Sequence, residues 1–106
     1  MDFNEYQKLT KTTWKSSELL YMDEIRAILG LCGESGEIAE KQKKAMRDNT
    51  VVDSEDLILE LGDILYYIAI VADINGFDLE DVAKLNISKL KDRKNRGKIS
   101  GTGDNR

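Results

Sequence analysis

The 106-residue chain has no proline, no histidine and one cysteine, Cys32. Without proline nothing interrupts a helix from within, and the abundant Ala, Leu, Ile, Glu and Lys favour helix throughout. Without histidine, a histidine-bearing di-iron or zinc site is excluded. A single thiol excludes an internal disulfide framework and suits a reducing compartment. No long apolar run is free of charge: Leu57 to Ile74 is the longest, and it carries Glu60 and Asp63 at its centre, a poor membrane span. The first residues lack the basic start and apolar run of a secretory leader. A soluble, cytoplasmic protein with no membrane partner is expected.

Positive charge is scarce over most of the chain. The net charge is −4; residues 1–83 hold eight Lys/Arg against eighteen Asp/Glu, and residues 84–106 hold eight against two. The acidic balance argues against nucleic acid as a partner. The basic last quarter suits either a small anionic ligand or a solvated rim.

Apolar periodicity predicts four helices: Phe3 to about Trp14, Leu19 or Asp23 to Arg47, Asp53 or Ser54 to about Asn75, and Asp78 to about Arg93. Asp48-Asn49-Thr50 reads as a turn, Gly76 as a helix stop, and Asp78 with Asp81 as a capping arrangement. The fold class expected is all-α, an antiparallel four-helix bundle-like domain over 1–93 with a Gly-rich basic tail over 94–106. On the third helix Ile58, Leu65, Ala69 and Ala72 face away from the acids and need a further partner, so at least a dimer is expected.

What is present is a set of acids where apolar residues belong. Glu34 and Glu37, and likewise Glu60 and Asp63, are spaced i, i+3, so each pair shares a helix face. At about 100° per residue, Glu37 and Lys41 fall within about 60° of Glu34, on the border of an apolar stripe. If the second and third helices pack antiparallel through those stripes, four carboxylates converge, and their repulsion calls for cations. Oxygen-only ligands select hard ions such as Mg²⁺ or Mn²⁺. The alternative is that each acid pairs with a base, for example Lys41 or Lys44 with Glu37 and Glu40.

Gly30, Gly33 and Gly36 accompany the first pair and Gly62 the second, read as sites of close helix approach. Asn86, Lys89 and Arg93 form a stripe on the fourth helix that suits either phosphate and sugar or solvent. Tyr66, Tyr67 and Trp14 offer stacking surfaces or core, with Tyr67 the better placed tyrosine, one turn beyond Asp63.

GLCGESGEIAEKQKK at 30–44 followed by ELGDILYYIA at 60–69 resembles the MazG-like nucleoside triphosphate pyrophosphohydrolases. EYQKLTKTTW at 5–14, NISKLKDR at 86–93 and the closing GTGDNR extend the likeness over nearly the whole chain. The resemblance implies an all-α dimer or dimer of dimers and Mg²⁺-dependent hydrolysis of an NTP or dNTP to monophosphate and pyrophosphate. It implies Glu34, Glu37, Glu60 and Asp63 as metal ligands and catalytic acids. It also implies that Lys41 reaches a phosphate and that Tyr67, Asn86, Lys89 and Arg93 contact sugar or phosphate. Many relatives carry two adjacent glutamates where this chain has Gly33 and Glu34, so a base at position 33 is missing. A pyrophosphohydrolase of another substrate, such as phosphoribosyl-ATP, and a non-catalytic cation-binding oligomer are the alternatives.

Overall fold

The computed structural model describes residues 1–106, which form four helices and no strand: α1 (Phe3–Thr10), α2 (Leu20–Arg47), α3 (Ser54–Ile74) and α4 (Leu79–Asn95). No helix is long and apolar enough to cross a membrane.

α1 starts at Asp2, whose carboxylate accepts from the Glu5 amide at 2.8 Å. It stops at Thr10, four residues short of Trp14. The hydroxyls of Thr10, Thr12 and Thr13 each donate to the carbonyl three residues back, at 2.7, 2.7 and 3.2 Å. Such local bonds compete with the helical ladder.

α2 and α3 form a long antiparallel hairpin. Lys41 meets Glu60, Gly30 meets Tyr67, and Glu24 meets Asn75, so positions rise along one helix as they fall along the other. The turn between them uses Asn49 at a φ of 57°, with the Thr50 amide returning to the Ala45 carbonyl at 2.8 Å. Gly76 ends α3 at a φ of 74°, and the Phe77 amide reaches back to Ala72 at 2.8 Å. This is the left-handed helix stop that glycine permits.

α4 packs on α1 and α3, and α2 packs on α3 alone. Within one chain the helices therefore make a hairpin with a side arm rather than a closed bundle. The capping side chain expected from Asp78 and Asp81 is not used. Gln7 does the work from α1: its Oε1 accepts from the Leu79 amide at 2.8 Å and its Nε2 donates to the Phe77 carbonyl at 2.7 Å. Its side chain is buried in doing so.

The enclosed core is small, comprising Ala27, Ala45, Ala69, Ile70, Ala72 and Leu79. Ala69 and Ala72 are thus covered inside the chain, contrary to expectation, whereas Ile58 remains 67% exposed. Only at Gly30 does close helix approach explain a glycine: a Cβ there would clash with the ring of Tyr67. Gly33, Gly36 and Gly62 face open space, so the expected tight packing is not made at those three.

Candidate metal centre

The hairpin register brings Glu34 and Glu37 of α2 opposite Glu60 of α3. One carboxylate oxygen from each lies within 4.8 Å of the other two. Glu60 is buried, Glu34 half-buried and Glu37 exposed, so the cluster opens on one side. Asp63 stands one turn further along α3, exposed and outside this triangle. Its charge nonetheless reaches both Glu34 and the α1 residue Tyr6.

The electrostatics of the triangle are unbalanced. Burial, then the charges of Glu37, Asp63 and Glu60, push the Glu34 carboxyl above the usual carboxylate range. Glu60 is held below it, chiefly by Lys41, whose Nζ donates to Glu60 Oε1 at 2.8 Å. The same bond raises the Lys41 ammonium. One basic partner for three acids leaves Glu34 Oε2 and Glu60 Oε2 buried with nothing to accept from. A buried oxygen with no partner costs free energy that a cation removes. With no histidine in the chain and Cys32 not among the clustered side chains, the donor set is all oxygen. These residues fit a hard divalent ion.

The pairing alternative holds only in part. Lys43 and Lys44 do bind Glu40, at 3.0 and 3.9 Å. Lys41 pairs with Glu60 across the hairpin. Asp73, the third acid of the apolar helix, is explained by Lys11 at 3.4 Å.

Beside the acids runs an aromatic row. Trp14, Tyr66 and Tyr67 have successive ring centroids 6.5 and 5.3 Å apart, and Tyr67 ends against Gly30, one turn before Glu34. Arg26 lies 4.6 Å over the Trp14 ring and donates to the Lys15 carbonyl at 3.0 Å. Tyr67 is half-buried, a packing residue that also borders the site.

The α4 residues are not brought to the acids. Asn86 and Lys89 line a cavity of about 620 Å³ with Phe77, Val82 and Leu85. Lys89 and the buried Arg93 hold Asp104, at 3.0 and 3.3 Å.

Two side chains escaped sequence reasoning. Tyr6 has its hydroxyl pKa pushed up by burial and then by Asp63. Asp23 is fully buried, accepting from Ser16 Oγ at 2.7 Å and the Ser17 amide at 2.8 Å, and so fixes the entry to α2. Its i, i+3 relation to Arg26 was visible, but its bonds back to residues 16 and 17 depend on how the loop folds.

The profile described as the MazG nucleotide pyrophosphohydrolase domain matches residues 23–97, a span that holds all four acids and the α4 stripe. The chain is 46% identical over 82 residues to the Gene 37 protein of Mycobacterium phage L5, covering 74% of this chain and 72% of that protein. No solved structure matches it.

Proposed function

The chain belongs to the MazG nucleotide pyrophosphohydrolase family, and from that premise we propose that it hydrolyses an NTP or dNTP to the monophosphate and pyrophosphate. Mg²⁺, or Mn²⁺ in its place, is held by Glu34, Glu37, Glu60 and Asp63. The observation that carries the reading is the pair of buried, unpartnered oxygens, Glu34 Oε2 and Glu60 Oε2, on two acids of one all-oxygen cluster. A bound cation supplies charge neutralisation for the triphosphate and an acidified water.

The chain's own residues do the positioning. Glu34, Glu37 and Glu60 form the anionic floor, and exposed Asp63 extends it toward solvent. Lys41 stands in for a cation on Glu60 and, once released, is a donor for a phosphate oxygen. Position 33 has no side chain, so any carboxylate base is one of the same four acids. Asn86, Lys89 and Arg93 serve phosphate and sugar. In the single chain α4 makes no contact with α2, so this reading has the two groups meet in a dimer or dimer of dimers. The setting that suits such an enzyme is the cytoplasm, clearing surplus or non-standard nucleotides.

Incubation with a panel of NTPs, dNTPs and phosphoribosyl-ATP in Mg²⁺ tests this. At least one should yield monophosphate and pyrophosphate, and Glu60→Gln should slow the reaction by about 10²-fold or more. Release of diphosphate and orthophosphate would put the cleavage at the wrong bond. No turnover of any substrate would favour the cation-binding oligomer.

A further inference from the structure

Residues 96–106 form a closed loop held by its own arginines. Gly97, Gly101 and Gly103 take φ of 67°, 127° and 80°, backbone that glycine adopts freely. The Arg106 guanidinium donates to the carbonyls of Lys98, Ile99 and Gly103 at 3.2, 3.0 and 2.6 Å. Arg96 in turn donates to the Arg106 main-chain oxygen at 2.7 Å.

The loop delivers one acid to α4. Asp104 Oδ1 accepts from Lys89 Nζ at 3.0 Å and from Arg93 Nη2 at 3.3 Å, and the Asp104 carbonyl accepts from the same Nη2 at 2.8 Å. The two sides of this contact are unequal. The Arg93 side chain is 5% exposed, whereas that of Asp104 is 84% exposed. Arg93 Nε, on the guanidinium edge that it shares with Nη2, is buried without a partner. That edge grips carboxylate or phosphate at two points, and here only half of it is used. A buried guanidinium needs an anion, and the anion it has is a surface side chain easily withdrawn.

We propose that the 101–106 loop is a self-supplied latch, in which Asp104 occupies the Lys89–Arg93 cradle in place of a phosphate oxyanion that must displace it to bind. This rests on the nucleotide reading above and adds its regulation: ligand affinity is lowered by the fraction of chains with the loop closed. It also accounts for the Arg106 bonds, which hold the loop closed partly through the Gly103 carbonyl, an oxygen that Arg93 Nη2 also reaches at 3.4 Å.

The probe is inorganic pyrophosphate, titrated calorimetrically into the full chain at low ionic strength without added metal. Asp104→Asn should bind it about three- to tenfold more tightly than the unaltered chain, the scale of one exposed carboxylate released from two cations. Arg106→Ala should act in the same direction, and adding Lys89→Ala to Asp104→Asn should cancel the gain. Asp53→Asn, the same charge change at an exposed residue ahead of α3, should have no effect. Unchanged or weaker binding by Asp104→Asn, an equal gain in Asp53→Asn, or no binding by any form overturns the latch. A gain without NTP hydrolysis supports the latch and sinks the enzymatic reading; hydrolysis without a gain does the reverse.

Discussion

Glu34 and Glu60 face the same cluster but respond oppositely to it, and that difference is measurable without substrate. The Glu34 carboxyl is raised by burial and by its acidic neighbours. A raised carboxyl binds its proton more tightly in the folded state, so stability is greatest at acid pH and falls as pH rises through the folded value. Glu60 is lowered by Lys41, so its contribution is present above the ordinary carboxylate range and is lost as pH falls. In EDTA at neutral pH, Glu34→Gln should therefore raise the Tm and Glu60→Gln should lower it, because Lys41 loses its partner. A Tm that falls in both variants would contradict this assignment. The glycines allow a second contrast. Gly30→Ala should destabilise by about 1–3 kcal/mol, because the added methyl meets Tyr67. Gly33→Ala faces open space and should be neutral or stabilising by about 0.5–1 kcal/mol in denaturant melts. Equal losses at both positions would mean that Tyr67 is not what requires Gly30.

Helix α4 depends on a cap supplied from α1. With no side-chain cap at Asp78, Gln7 takes both the Leu79 amide and the Phe77 carbonyl. Gln7→Ala should cost about 1–2 kcal/mol in chemical denaturation, whereas Asp78→Ala should change little; the reverse order would show that Asp78 is the working cap. The same elements show what could be read from the chain. The ends of α2, α3 and α4 were legible to within two residues because polar turns and Gly76 break the apolar period. The end of α1 was not, because three threonine hydroxyls override a period that continues to Trp14. Three of the four i, i+3 acids, Glu34, Glu37 and Glu60, were legible as one cluster because the hairpin register follows from a short turn; Asp63, expected to converge with them, lies exposed outside it. Gln7 as a cap, Asp23 as a loop anchor and Asp104 as the partner of Arg93 depend on contacts between elements, which no local pattern encodes.

The whole chain is too open for its size. Its radius of gyration is 16.5 Å, against about 13 Å for a compact chain of this length. Its accessible surface is 8019 Å², against about 6,000 Å² for a folded monomer of this mass. The excess is apolar in large part: Leu20, Tyr21, Leu29, Met46, Ile58 and Leu59 are each more than 60% exposed. A surface of that size is enough for a standard interface. Light scattering at micromolar concentration should give at least a dimer, and Ile58→Glu with Leu59→Glu should shift it toward monomer. A monomeric unaltered chain would refute the proposed assembly. If the clustered carboxylates hold the cation on which hydrolysis depends, pyrophosphate release from the preferred NTP or dNTP in Mg²⁺ should stop when excess EDTA is added and resume when Mg²⁺ is restored. Hydrolysis that continues undiminished in EDTA would rule out a cation-dependent site at these acids.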